Sequence, residues 1–129
     1  MALRILLDIN RLTDLFRGDR QIAETVESAV EVWLPFVAVG ELKAGFLCGA
    51  RSAANEALLA ALLALPGVDI LYADRETTEV YARLFYHLRS AGTPIPTNDL
   101  WIASLTIQHH LVLLTRDEHF ARIPQIARL

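Results

Sequence analysis

Asp8, Glu41, Asp99 and Asp117 are spread over the whole chain, yet an α/β fold would bring all four to one place. Asp8 closes the apolar run Leu3-Arg4-Ile5-Leu6-Leu7, and Asp117 comes shortly after Leu111-Val112-Leu113-Leu114-Thr115. Glu41 lies in an apolar helical segment and Asp99 in the first turn of another. Converging carboxylates repel one another and are costly to desolvate unless something positive binds between them. The chemistry this points to is a divalent metal held by oxygen ligands and acting on phosphodiesters.

Taken singly, three of these acids have ordinary explanations. An Asp just before a helix is usually a cap, and an acid in a first helical turn complements the dipole. Asp8, Asp99 and Asp117 all fit that description. Glu41 does not. Its helical neighbours are Val37, Ala38, Ala44 and Gly45, none of them cationic, and Lys43 points elsewhere. Asp14, flanked by Arg11 and Arg17, reads instead as an ordinary surface pair. Asn10, Asn98 and Thr115 stand beside the acids and offer groups that can orient a ligand carboxylate. Arg11 and Arg116 are candidate phosphate contacts, since a guanidinium binds phosphate in a bidentate fork.

Other chemistries fall away. His87, His109, His110 and His119 lack the spacing and companion ligands of a zinc site and read as surface or edge histidines. Cys48 has no base partner in the sequence and reads as a small buried apolar residue. No Gly-rich phosphate loop is present. A phosphoacceptor receiver domain would need a Lys near the end, and Lys43 is the only one. A phosphatase with an Asp nucleophile would want a second Asp at the position of Asn10.

The elements that must position the acids follow from the apolar rhythm. Short β-type runs at residues 3–8, 32–34, 68–72 and 111–115 alternate with helical patterns at 10–16, 21–29, 36–48, 53–65, 75–90 and 98–110. Thr97 is expected to N-cap the last of these helices. A helical turn at 118–121 precedes a weak strand near Ile126. Strands alternating with helices make a parallel sheet covered on both faces, and ligands bind beyond the carboxyl ends of such strands. Asp8 and Asp117 lie at such ends.

The chain of 129 residues is expected to form one domain, residues 1–129. It is 53% apolar, with a mean hydropathy of +0.34, which suggests a surface kept for a partner or a second copy. The helix carrying Val80, Tyr81, Leu84, Phe85 and Leu88 is one candidate surface, although its apolar stripe equally suits packing on the sheet. The run 57–65 is wide enough to expect burial on more than one side. It is too short to span a bilayer, and Asp8 interrupts any signal-peptide core. With a single cysteine, these features point to a cytoplasmic protein without a membrane role. Net charge is −3, which excludes bulk-charge coating of nucleic acid but not a local grip on a few phosphates.

Together the motifs resemble those of PIN-domain proteins. Leu6-Leu7-Asp8-Ile9-Asn10 resembles their opening Asp-Thr-Asn, and Val39-Gly40-Glu41-Leu42 their acidic helix. Gly92-Thr93-Pro94-Ile95-Pro96-Thr97-Asn98-Asp99-Leu100-Trp101-Ile102-Ala103 is similar to their third motif, and Leu114-Thr115-Arg116-Asp117-Glu118-His119-Phe120 to the closing one. The set looks like a VapC-type toxin, the ribonuclease half of a toxin–antitoxin pair. Ile9 departs from the frequent Thr. The resemblance implies a three-layer α/β/α sandwich with a mainly parallel central sheet, and a Mg²⁺- or Mn²⁺-dependent endoribonuclease. It also implies a homodimer silenced by a VapB-like antitoxin. By position, Asp8, Glu41, Asp99 and Asp117 would be the catalytic acids, with Asp8, Asp99 and Asp117 as direct metal ligands and Thr115 in support. The alternatives are a housekeeping PIN nuclease and a catalytically inactive binding module of the same fold.

Overall fold

The computed structural model describes residues 2–129; Met1, the first residue of the expected domain, lies outside them. The elements run β1 (Arg4–Leu7), α1 (Ile9–Phe16), α2 (Arg20–Ser28), β2 (Glu31–Pro35), α3 (Phe36–Cys48) and α4 (Ser52–Leu63). They continue as β3 (Val68–Leu71), α5 (Arg75–Ser90), α6 (Thr97–His109), β4 (Val112–Leu114), a 3₁₀ turn (Glu118–Arg122) and β5 (Ala127–Arg128). The sheet is β3-β2-β1-β4-β5, and every pairing in it is parallel. The expected three-layer α/β/α architecture is the one observed.

β1 sits at the centre because it is apolar on both faces. Ile5, Leu6 and Leu7 are all 0% exposed. Successive strand residues point to opposite faces. Ile5 and Leu7 accordingly join a core with Leu12, Ile22, Ala38 and Leu59 from α1–α4, whereas Leu6 joins Leu84, Leu100, Leu105 and Phe120 on the other side. β2 and β3 extend the sheet one way from β1, and β4 and β5 the other. The direction of strand addition therefore reverses between β1 and β4, which is where doubly wound sheets bind ligands.

Several expectations change in detail. Pro96, not Thr97, occupies the N-cap of α6, and no side chain caps that end. Proline's fixed φ favours the helix entry, so Thr97 is already the first helical residue and its hydroxyl has no capping role. α4 is buried on one side only. Leu59 and Leu62 are in the core, but Leu58 is 47% exposed, and Leu65, just past the helix end, is 50% exposed. Cys48 is exposed, since it lies on the last, outward-facing turn of α3. On α5 the stripe Val80, Leu84 and Leu88 packs inward, leaving Phe85 and Tyr86 exposed. Among the described residues no helix is long and apolar enough to cross a membrane.

One glycine is obligatory. Gly67 turns the chain from α4 into β3 with φ +78°, and an added Cβ would lie 2.6 Å from the Val30 carbonyl oxygen. Its own carbonyl accepts from the Val32 N–H at the start of β2 pairing.

Candidate metal centre

β1 delivers Asp8 to the switch point, and both explanations of that residue hold together. One carboxylate oxygen caps α1, accepting from the Ile9 N–H at 2.7 Å. The other accepts from Thr115 Oγ1 at 2.7 Å and from Asn10 Nδ2 at 3.4 Å. Asp8 is only 2% exposed. Burial pushes its carboxyl above the usual aspartate range; the hydrogen bonds from Thr115 and Ile9 oppose that, and the charges of Asp99 and Asp117 add to it.

Thr115 joins the two strand ends. Its hydroxyl donates to Asp8 and accepts the Asp117 N–H at 3.0 Å. Asn10 closes the same loop, its Oδ1 accepting the Arg116 N–H at 3.1 Å. Thr115→Val should therefore lower stability by about 1.5–3 kcal/mol, the cost of removing a hydrogen bond to a buried charged group. A urea midpoint unchanged from the parent protein would refute this role for the hydroxyl.

Asp99 and Asp117 converge from α6 and from the 3₁₀ turn. Asp117 caps that turn by accepting the His119 N–H at 2.9 Å. The His119 ring returns to the acids, with Nδ1 2.8 Å from Asp99 Oδ2 and 3.1 Å from Asp117 Oδ1. One ligand atom from each of the three lies within 4.8 Å of the others. Burial raises the Asp99 carboxyl first, with the charges of Asp117 and Glu41 acting the same way and the hydrogen bond and charge of His119 opposing them. Glu41 lies on the exposed face of α3, where its Oε1 accepts from Asn98 Nδ2 in a short contact. Lys43 turns to Glu56 of α4 instead, at 3.0 Å.

Asp8 at a strand end, Asp99 in a first helical turn and Asp117 at a cap thus act on one another through their charges. Glu41, from the middle of α3, acts on Asp99. The tight three-donor group is Asp99, Asp117 and His119, without Asp8 or Glu41. The two arginines are not among them. Arg11 and Arg116 both pair with Asp14, at 3.2 and 3.1 Å, so Asp14 is bridged to the far end of the chain and not to Arg17. His119 lies inside the cluster, contrary to the expectation of a surface histidine. Histidine-to-histidine spacing misses it; the signal is its place two residues after the capping Asp117, where a tight turn folds the ring back over the cap.

The donor set suits a hard divalent cation. Two of the carboxylates have raised pKa values, and among the described residues neither Arg nor Lys pairs with Asp8, Glu41, Asp99 or Asp117. An acidic cluster with no arginine or lysine of its own is the charge pattern a metal relieves.

Fold and site together define a doubly wound α/β protein with an acidic centre at the carboxyl ends of its central strands. Residues 5–126 match the PIN domain, and the chain belongs to that family. It is 32% identical over 87 residues to Ribonuclease VapC5 of Mycobacterium tuberculosis, a match covering 67% of this chain and 64% of that protein. Ribonuclease VapC4 of the same organism is 31% identical over 90 residues, covering 70% and 69% respectively. Among solved structures, VapBC-1 from nontypeable Haemophilus influenzae contains a chain similar at a TM-score of 0.86 and 25% identity, covering 98% of this chain and 97% of that one.

Proposed function

We propose that this protein is a metal-dependent endoribonuclease and the toxin of a VapBC-like pair. The observation that carries the reading is the convergence of Asp99 and Asp117 at the sheet's switch point, close enough to Asp8 for their charges to raise its carboxyl, without a lysine or arginine paired to any of the three. The names of the VapC relatives and the VapBC structural neighbour support it.

In this reading Asp8, Asp99 and Asp117 hold Mg²⁺ or Mn²⁺. An ion held there would supply Lewis-acid chemistry, making a water more acidic and stabilising charge on a phosphodiester. Glu41, held by Asn98, takes the proton of the attacking water. The water oxygen bonds to phosphorus as the bond to the leaving oxygen breaks, and that oxygen takes up a proton from solvent while Glu41 later returns its own to solvent. Thr115 and Asn10 keep Asp8 oriented throughout. Arg116, 54% exposed beside Asp117, takes a flanking phosphate together with Arg11 by giving up their pairing with Asp14. Residues 1–129 act as one PIN-like domain in the cytoplasm, as a homodimer restrained by a VapB-like antitoxin.

Purified protein should cleave a structured RNA in millimolar Mg²⁺ or Mn²⁺ and stop when a chelator is added. Cleavage that persists in chelator would remove the metal from the mechanism. Growth arrest on expression, relieved by a small DNA-binding protein encoded immediately upstream, would establish the toxin role. No cleavage and no arrest would favour the inactive binding module.

A further inference from the structure

His119 is the cluster's only nitrogen donor among the described residues. Its position is set from two directions. The backbone N–H donates to Asp117 Oδ1, the same oxygen the ring approaches, and the next residue, Phe120, is 0% exposed and anchors the turn in the core. The backbone at residue 119 is thus held between the Asp117 cap and the buried Phe120. From that backbone the ring reaches both Asp99 and Asp117 through Nδ1, although 42% of its surface remains open.

The separations of 2.8 and 3.1 Å between Nδ1 and the two carboxylate oxygens suit a hydrogen bond. They equally suit neighbouring donors around one six-coordinate ion, which lie about 3 Å apart when each bond is near 2.1 Å. Donor type then discriminates between ions. Mg²⁺ takes oxygen ligands, whereas an imidazole nitrogen favours first-row transition metals. We propose that His119 supplies a nitrogen ligand through Nδ1 beside Asp99 and Asp117, and thereby makes the centre prefer Mn²⁺ to Mg²⁺. The inference rests on the metal-centre reading above and adds the residue that sets ion choice.

The test uses the full chain with Mn²⁺ or Mg²⁺ as the probe. Electron spin-echo spectra of bound Mn²⁺ should show nitrogen modulation that His119→Gln abolishes. Competition titrations should show the Mn²⁺/Mg²⁺ affinity ratio falling at least about tenfold in His119→Gln and His119→Ala, the scale on which metal sites respond to losing a tuning group. Mg²⁺ affinity itself should change by less than about threefold. Melting curves in chelator confirm that each variant is folded. An unchanged ratio, or nitrogen modulation that survives in His119→Gln, overturns the inference. So does tighter binding of both ions by His119→Ala, which would make the ring a competitor for the carboxylates. If the parent protein binds neither ion, the metal-centre reading fails as well, which separates the two failures.

Discussion

Asp99→Asn is expected to fold normally and to lose RNA cleavage by at least about a hundredfold, beyond the 10–100-fold cost of losing an outer partner of a metal ligand. The substitution keeps size and shape in the first turn of α6. Its amide oxygen can still accept from His119, whose Nδ1 stands 2.8 Å from Asp99 Oδ2. What disappears is one negative charge from a site where burial, Asp117 and Glu41 already disfavour it. Stability without metal should therefore hold or rise while metal affinity and turnover fall. Circular dichroism melting in chelator, paired with kcat/KM on RNA, reads both effects. A folded Asp99→Asn protein that cleaves as well as its parent would sink the assignment of Asp99 as a ligand.

The second large effect is on stability. Mg²⁺ or Mn²⁺ at 100 times its dissociation constant should stabilise the protein by about 2.7 kcal/mol, provided the unfolded chain binds none. For a chain of this size that corresponds to a rise of roughly 8–13 °C in Tm. The effect should depend on pH in a defined direction. Asp8 and Asp99 have folded-state pKa values above those they have when unfolded. Between the two values the native protein binds more protons than the unfolded chain, so stability from these groups is present at low pH and falls as pH rises through the window. Glu31 and Asp74 act oppositely: their carboxyls are lowered, chiefly by hydrogen bonds from Arg4 and Gln108 respectively, so their contribution is lost as pH falls. Metal competes with protons only at the acidic centre, so the gap between metal-loaded and chelated melting temperatures should widen with rising pH. A Tm indifferent to millimolar metal at neutral pH would refute a metal centre.

Much of the fold is legible in the chain because its punctuation is strong. α3 and α5 occupy the expected residues 36–48 and 75–90. α5 is bounded by a capping box at Asp74 and Thr77 and by Ala91-Gly92, and α3 by Pro35 and Gly49. The apolar runs that become β1 and β4 are equally plain, and they carry Asp8 and Thr115 with them. Burial is less legible than secondary structure. The alanine- and leucine-rich α4 looks fit for burial all round, but how many of its sides are covered depends on which neighbours reach it. His119 and the link from Asp14 to Arg116 are hidden for a related reason, whereas the Arg11–Asp14 pair within α1 is legible. Each depends on where a loop folds in space, and Arg116 meets Asp14 across 102 residues of sequence.

The hydrogen bond between Thr115 and Asp8 spans 107 residues. Synthesis at 5–20 residues per second puts roughly 5–20 s between the two ends of that bond. Through most of that interval the growing chain carries Asp8 and then Glu41, and β1 still lacks β4 as its neighbour. Asp99 follows only 16 residues before Thr115, and Asp117 comes two residues after it. The acidic centre consequently cannot close before the segment that carries β4, Thr115 and Asp117 has been made, however early Asp8 is in place.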